Sequence, residues 1–179
     1  NLSFGSSWLH QDTSYLANDR PRYTMLMGIE IPTGQGNTIF SSGFNAYEKL
    51  PQDIKDKIKN ATGIFSSAGP IAVTRLEREK EMGIKSSDSM EAEHPIVKMV
   101  NGKKTLYVSP GHLMEIKNVD EKDAVYLKKY LIEHVNKKEF IFSYEWSKGD
   151  ICLWDNLSIL HMASEIKNCK RVMHRITIK

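Results

Sequence analysis

Short runs of β-branched and aromatic residues, separated by Gly, Pro, Asn or Ser, constrain the fold of this chain most strongly. Such runs predict strands, because branched and aromatic side chains pack well on a pleated surface while Gly, Pro and Asn favour turns. The predicted strands are Tyr23–Ile31, Asn37–Phe40, Ile71–Arg75, Ile96–Val100, Thr105–Val108, Phe140–Glu145, Ile151–Trp154 and Arg171–Ile178. Many short strands with few helices indicate a mainly β fold, a sandwich or barrel with helical decoration.

Two helices and one tight turn join these strands. One helix is predicted from about Pro51 to Asn60, since proline suits the first helical position. The other is predicted over Asp120–Asn136, where apolar residues recur at helical spacing and Asp120 can cap the N-terminus. The pair Asn101-Gly102 predicts a two-residue hairpin, because both residues tolerate a positive φ. The charged, serine-rich segment Glu77–Glu93 is expected to form a long surface excursion that could act as a lid.

The composition is that of an ordinary globular domain. The chain has 179 residues, of which 40% are hydrophobic and 26% charged, and these proportions exclude disorder, collagen and coiled coil. A chain of this length can bury an adequate core, so we expect residues 1–179 to form a single domain. The formal net charge of +3 is too small to argue for nucleic acid as a partner.

Cysteine usage and hydropathy point to a location inside the cell. The chain has two cysteines, Cys152 and Cys169, and neither lies in a CxxC or CxxH pattern, which excludes a zinc finger or redox pair. So few cysteines favour a reducing compartment, and we expect a cytoplasmic protein. No apolar run approaches the ~18 residues that a membrane span needs, no signal peptide is visible, and no membrane partner is expected. The chain begins at Asn1 rather than at a methionine, and the candidate metal ligands His10 and Asp12 follow closely. We therefore expect further residues upstream.

A His-x-Asp segment near the start of the chain is a candidate metal site. In extended backbone His10 and Asp12 project to the same side. With a third ligand such as His161, they would make the two-histidine, one-carboxylate triad of non-haem Fe(II) oxygenases, which leaves positions open for a cosubstrate and O2. On these residues alone, a surface histidine followed by a turn aspartate remains the alternative.

Two arginines near the end of the chain suit anionic ligands. Arg171 and Arg175 share one face if their segment is a strand, so both can point into one cavity. A guanidinium group matches a carboxylate bidentately. One arginine could hold the far carboxylate of a 2-oxoacid, and the other an anionic substrate. The alternative is that both are solvated charges on a strand face.

Together with other blocks in the same order, these segments resemble the TauD/TfdA (taurine/chlorophenoxyacetate dioxygenase) family of Fe(II)- and 2-oxoglutarate-dependent oxygenases. The blocks that carry the resemblance are Trp8–Tyr15, Gly36–Phe40, Ala46–Pro51, His94–Val97, Leu106–Gly111, Trp146–Ile151, Trp154–Asn156, His161–Ala163 and Arg171–Arg175. They cover nearly the whole chain. The resemblance implies a double-stranded β-helix, a jelly roll related to the cupins, of which this chain is expected to lack the N-terminal part.

The resemblance also assigns roles to particular residues. His10, Asp12 and His161 match the family's iron ligands. Thr38 and Arg171 match the pair that binds the distal carboxylate of 2-oxoglutarate. The implied cofactor is Fe(II), with 2-oxoglutarate as cosubstrate and O2 as oxidant.

The residues expected to contact the primary substrate match the family pattern less closely than the iron and 2-oxoglutarate residues do. Arg175 matches the arginine that holds a substrate sulfonate or carboxylate, and His112 falls where taurine-type enzymes place an aromatic substrate contact. Other departures from the family pattern are Leu9, which stands before the first ligand in place of Trp, Leu157, which follows Trp154-Asp155-Asn156 in place of Arg, and the stretch Ile64–Pro70. These departures argue against taurine as the substrate.

The implied function is hydroxylation of a small anionic metabolite (sulfonate, carboxylate or amino-acid-like) with release of succinate and CO2. Desaturation or oxidative cleavage with the same cofactors is one alternative. A non-catalytic, cupin-like metal-binding protein is the other, since fold alone would permit it. Halogenation is not expected, because related halogenases replace the Asp12 carboxylate with a small residue. The sequence leaves assembly into a homo-oligomer open.

The remaining histidines are expected to be structural. His94 is predicted to be a hydrogen-bonding residue, His134 to face solvent beside Lys137, and His174 to lie on the sheet face opposite the two arginines. Trp154 is predicted to pack near the metal.

Overall fold

The structure is a computed structural model that describes residues 3–4, 8–73, 80 and 88–179. The strands of the described part are β1 (Ser3–Phe4), β2 (Tyr23–Glu30), β3 (Thr38–Ser42), β4 (Thr62–Ser66), β5 (Glu91–Pro95), β6 (Val97–Val100), β7 (Lys103–Leu106), β8 (Leu113–Lys117), β9 (Ile141–Tyr144), β10 (Ile151–Asp155), β11 (Ile159–Ala163), β12 (Ile166–Lys167) and β13 (Val172–Ile178). The α-helices of the same part are α1 (Gly43–Glu48), α2 (Gln52–Ile58) and α3 (Glu121–Val135). Short 3-10 turns lie at Pro70–Ala72 and Lys138–Phe140.

Two three-stranded antiparallel sheets carry the candidate site. One has the order β10-β2-β13 and the other β11-β3-β9. Trp154 of the first sheet meets Phe40 of the second edge to face, with ring centroids 5.3 Å apart. Both rings are buried, so these faces of the two sheets pack against each other. The architecture is the mainly β, jelly-roll fold that the sequence predicts.

The main apolar core lies beside these sheets. A third sheet of order β5-β4-β8 packs against α3, and β6 and β7 pair as a hairpin. Phe65 of β4, Ile58 of α2 and Leu131 of α3 are fully buried in one cluster. Burial of each such side chain contributes roughly 1.5–3 kcal/mol relative to its exposure, so this core anchors the sheets that hold the site.

Several local predictions are confirmed. Strand β2 forms as expected, and both predicted helices are present as α2 and α3. Strand β13 also forms, but it begins at Val172 and its register shifts between Val172 and Met173, so the regular alternation that would put Arg171 on the face of Arg175 is interrupted. The hairpin also forms: Asn101 and Gly102 have φ of 48° and 76°, and Val100 pairs with Lys103 across the turn.

Other local predictions are wrong. The segment predicted as the strand Ile71–Arg75 begins as the 3-10 turn Pro70–Ala72, because Pro70 fixes φ and lacks the N–H that a ladder needs; residues 74–75 lie outside the described residues. Asp120 precedes α3, but its side chain makes no capping hydrogen bond within the described part of the chain. Of the predicted excursion Glu77–Glu93, residues 77–79 and 81–87 lie outside the described residues.

His134 is buried rather than solvent-facing. Its side chain is only 2% exposed, Nε2 donates a hydrogen bond to the Ala46 carbonyl at 2.8 Å, and its ring stacks on Tyr130. The neighbouring lysines suggested a polar face, but the helix turns His134 toward α1.

None of the helices in the part of the chain described here has the length and apolar character that a membrane span requires.

Candidate active site

Three side chains with metal-binding atoms converge where the segment around His10 meets β11. His10 and His161 exchange two backbone hydrogen bonds of 3.0 and 2.9 Å. Asp12 Oδ1 lies 3.9 Å from His10 Nε2 and 3.5 Å from His161 Nε2, and the three ligand atoms all lie within 4.8 Å of one another. The structure therefore brings together the three residues that the sequence singled out.

Both imidazole rings are held with Nε2 toward the carboxylate. His10 Nδ1 donates to the Trp8 carbonyl at 3.0 Å, which leaves the lone pair on Nε2. The His161 ring packs against Trp154 with centroids 4.6 Å apart. Burial, followed by the neighbouring His161, lowers the pKa of His10 to about 3. His10 is therefore neutral at physiological pH, which is the form that binds a metal.

Asp12 presents one oxygen to the histidines and keeps the other for protein donors. Oδ2 accepts a hydrogen bond from Thr24 Oγ1 at 2.6 Å and forms an ion pair with Arg175 Nη2 at 2.8 Å. Burial alone would raise the pKa of Asp12, but His161, Thr24 and Arg175 outweigh it and hold this pKa well below its usual range. An ionised carboxylate with a free Oδ1 and two imidazoles is the donor set of the facial triad, so these residues fit the iron that the resemblance implies.

Arg171 has an unused hydrogen-bonding edge. Its Nε and Nη2 are buried, and neither has a partner among the described residues. These two groups donate from the same edge of the guanidinium plane, and this edge matches a carboxylate bidentately. Two buried donors without an acceptor carry a cost that a bound anion would remove.

Thr38 also has a hydrogen-bond donor that an anion could use. Its buried Oγ1 accepts a hydrogen bond of 2.9 Å from the Trp146 indole N–H. Because the indole can only donate, the single proton of the Thr38 hydroxyl remains available for an acceptor. Gly36, two residues earlier, packs directly on Arg171: a Cβ at this position would lie 2.9 Å from Arg171 Cδ. Arg171 therefore packs against the segment that leads into β3.

We expect Gly36→Ala to weaken 2-oxoglutarate binding roughly tenfold, which corresponds to about 1.4 kcal/mol. The added methyl would push against the Arg171 side chain and displace its donors. Gly34→Ala is the matched control, because Gly34 also has a positive φ of 68° but no atom of the described residues lies within 4 Å of a Cβ there. Calorimetric titration of 2-oxoglutarate into the Mn(II)-loaded variants checks the prediction. If both alanine variants bound 2-oxoglutarate equally weakly, backbone strain rather than the Arg171 contact would be responsible, and parent-like affinity in Gly36→Ala would contradict the prediction.

Arg175 and His112 lie next to the ligand cluster. The half-exposed Arg175 side chain reaches Asp12. His112 is buried and shares its Nδ1 between the Ser14 and Ser109 hydroxyls at 2.8 and 3.2 Å, and its ring lies edge-on to His10 at 5.8 Å. Their roles in substrate binding remain predictions.

Among the other histidines, the prediction for His94 is confirmed and the prediction for His134 is wrong. His94 makes hydrogen bonds, with Nε2 2.9 Å from the Leu16 carbonyl. His174 is exposed and alternates with Arg175 on β13. Trp154 does pack beside the ligand cluster, against His161.

Sequence reasoning missed three polar contacts of the site. Thr24 and Asn156 form a buried hydrogen-bonded pair beside Asp12, and Trp146 donates to Thr38. Asn156 and Trp146 fall inside blocks that carry the family resemblance, but the sequence shows no partner for either. Thr24 belongs to no motif, so no sequence signal marks it.

Comparison with known proteins agrees with this geometry. The alkylsulfatase of Acinetobacter baylyi is 30% identical to this chain over 97% of the chain and 56% of the relative. The alpha-ketoglutarate-dependent sulfate ester dioxygenase of Pseudomonas putida is 26% identical over 97% of the chain and 59% of the relative. A taurine dioxygenase from Burkholderia xenovorans shares the fold, with a TM-score of 0.79 at 24% identity over 98% of this chain and 61% of that one.

The chain thus spans 56% and 59% of the lengths of these two curated relatives. A sequence model for the description "Taurine catabolism dioxygenase TauD, TfdA family" matches residues 1–177. The match covers every residue of the candidate site. The chain therefore belongs to the TauD/TfdA family of dioxygenases.

Proposed function

We propose that this chain is the catalytic domain of an Fe(II)- and 2-oxoglutarate-dependent dioxygenase that hydroxylates a small anionic metabolite. The observation that carries the proposal is the convergence of two histidines and one ionised aspartate within 4.8 Å. The unpaired edge of Arg171 supports the second half of it, because that edge suits the distal carboxylate of 2-oxoglutarate. A metal-binding scaffold without turnover would need the triad but would not need this edge.

In this proposal His10, Asp12 and His161 hold Fe(II), while Arg171 and Thr38 hold the far carboxylate of the cosubstrate. When bound, iron and 2-oxoglutarate supply the O2 chemistry that oxidises an unactivated C–H bond and yields succinate and CO2. The protein supplies placement: two backbone hydrogen bonds fix the histidines relative to each other, and Thr24 and Arg175 fix the aspartate. Placement of this kind decides which C–H bond reacts.

The proposed substrates are small organic anions, with sulfate esters and sulfonates tested before carboxylates and amino acids. Arg175 supports this choice, because a half-exposed guanidinium beside the ligand cluster can bind an anion that arrives from solvent. Of the two relatives described above, one is named an alkylsulfatase and the other a sulfate ester dioxygenase. Hydroxylation of a carbon that bears a sulfate group gives an unstable product, which loses sulfate and leaves an aldehyde. Sulfate release would therefore accompany turnover of such an ester.

A coupled assay tests the proposal. Purified protein is incubated with Fe(II), ascorbate, 2-oxoglutarate and each candidate anion, and succinate is measured alongside the oxidised product. We expect succinate release that depends on Fe(II) and rises several-fold with at least one sulfate ester or sulfonate. Stoichiometric Fe(II) binding without succinate from any substrate would favour the non-catalytic metal-binding alternative.

We expect Arg175→Leu to raise the KM for the primary substrate at least tenfold and to leave 2-oxoglutarate affinity within about twofold. The reason is that Arg175 borders the ligand cluster through Asp12, whereas the unpaired donors suited to the cosubstrate are on Arg171. Lys179→Leu serves as the control, because it removes an exposed cation just beyond β13 that pairs with Asp19. If Arg175→Leu instead weakened 2-oxoglutarate binding and spared the substrate, the roles of the two arginines would be reversed.

We place this activity in a single domain of residues 1–179 in the cytoplasm. Both cysteines are free thiols, which suits a reducing compartment. Folding of the isolated chain to a single cooperative thermal transition would support the domain assignment. Two separate transitions would contradict it.

A further inference from the structure

We infer that Thr24 is a positioning residue for the metal ligand Asp12, and that Asn156 and Trp154 hold it in that role. The inference rests on the proposed function, since it assumes that Asp12 binds the metal. It concerns a buried hydrogen-bond chain that links β10, the turn after it and β2 to the ligand cluster. We call this chain the Trp154–Asn156–Thr24 relay.

The relay runs through three short hydrogen bonds. The Trp154 indole Nε1 donates to Asn156 Oδ1 at 3.1 Å. Asn156 Nδ2 donates to Thr24 Oγ1 at 2.8 Å. The Thr24 hydroxyl donates to Asp12 Oδ2 at 2.6 Å. Thr24 and Asn156 are 0% and 2% exposed, so solvent cannot replace these contacts.

The chemistry of the groups fixes the direction of the relay. An indole N–H can only donate, so the atom of Asn156 that faces Trp154 must be its oxygen. The amide nitrogen then faces Thr24, and the Pro21 carbonyl on the same side is also an acceptor. With one lone pair of the Thr24 oxygen occupied by this donor, and an ionised carboxylate as its nearest acceptor, the hydroxyl proton points at Asp12. Each member therefore orients the next.

The endpoint of the relay selects which carboxylate oxygen faces the metal. Thr24 and Arg175 both contact Oδ2, so Oδ1 is left toward His10 and His161. Arg175 is half exposed and can move, whereas Thr24 is fully buried on a strand. Thr24 therefore supplies the permanent restraint on the carboxylate.

The relay also joins two of the three ligands. Trp154, at its start, packs its ring against His161 with centroids 4.6 Å apart, and Asp12 stands at its end. A polar partner behind a metal ligand typically changes metal affinity by roughly 10–100-fold. We therefore expect loss of the Thr24 hydroxyl to weaken metal binding by a factor in that range.

The test measures Mn(II) affinity of the metal-free chain by calorimetry, without turnover. Thr24→Val keeps the shape of the side chain and removes the donor, and Thr24→Ser restores the donor. Thr177→Val is the matched control, because Thr177 lies directly opposite Thr24 on the neighbouring strand and is exposed. We expect the valine variant at position 24 to bind Mn(II) at least tenfold more weakly, and the serine variant and the Thr177 control to bind within about threefold of the parent.

Circular dichroism and thermal melting establish which variants are folded. If the valine variant does not fold, Thr24→Ala, which removes the hydroxyl and adds no atoms, replaces it. Parent-like Mn(II) affinity in a folded variant without the hydroxyl would overturn the inference and leave the proposed function standing. So would a serine variant as weak as the valine variant, because the effect would then be structural. A parent chain that binds no Mn(II) would overturn the proposed function, and the inference with it.

Discussion

Asp12→Ala should abolish metal-dependent turnover and lower Fe(II) or Mn(II) affinity more than a hundredfold. The reason is that Asp12 is the one anionic member of the ligand cluster, so the change removes both a ligand atom and the negative charge that attracts the cation. The fold should survive, because the change leaves the Thr24 hydroxyl and the half-exposed Arg175 without their acceptor, at a cost of about 1–3 kcal/mol. Metal titration and a thermal melt of the metal-free protein measure the two effects separately.

The control for this change is Asp19→Ala, which removes an exposed carboxylate that pairs with Lys179 and should leave metal affinity unchanged. Retained turnover in the Asp12 variant would remove Asp12 from the triad. A variant that loses its cooperative melt would instead assign Asp12 a mainly structural role.

Arg171→Leu should raise the dissociation constant of 2-oxoglutarate by roughly a hundredfold and leave metal affinity unchanged. Loss of one partner from a buried, hydrogen-bonded charge pair typically costs 2–5 kcal/mol, and the two unpaired donors of Arg171 fit such a pair. Removal of the side chain should not harm the fold, since these donors have no acceptor among the described residues. Calorimetry with 2-oxoglutarate and Mn(II) gives both constants.

Thr38→Val provides the graded comparison for Arg171. It removes one neutral hydrogen-bond donor, worth about 0.5–1.5 kcal/mol, so we expect 2-oxoglutarate affinity to fall by roughly two- to tenfold. An Arg171 effect no larger than the Thr38 effect would argue that the distal carboxylate does not bind at the unpaired edge.

The sequence could predict strands where the pattern is local. The eight residues of β2 are rich in apolar side chains, and the Asn101-Gly102 turn depends only on two residues that accept positive φ. In contrast, β11 was not predicted, although it carries His161. It has five residues, and its pairing with β3 depends on a partner far away in sequence.

In the candidate site, too, local sequence patterns could be predicted, whereas contacts between distant segments could not. His10, Asp12 and His161 could be predicted because their residue types and order match a known constellation. Thr24 could not, because a threonine in a strand is ordinary and only the fold places Asp12 and Asn156 beside it. His134 was misplaced for a related reason: its flanking lysines are local, whereas the Ala46 carbonyl that it binds is 88 residues away in sequence.

We propose that one site of this chain binds Fe(II) and 2-oxoglutarate together. The most direct test of this proposal is the visible absorption spectrum of the chain with Fe(II) and 2-oxoglutarate under anaerobic conditions, compared with Asp12→Ala and Arg171→Leu. We expect a weak charge-transfer band that needs both Fe(II) and 2-oxoglutarate, is absent in the Asp12 variant, and requires far more 2-oxoglutarate in the Arg171 variant. Iron binding without such a band at saturating 2-oxoglutarate would contradict the proposal.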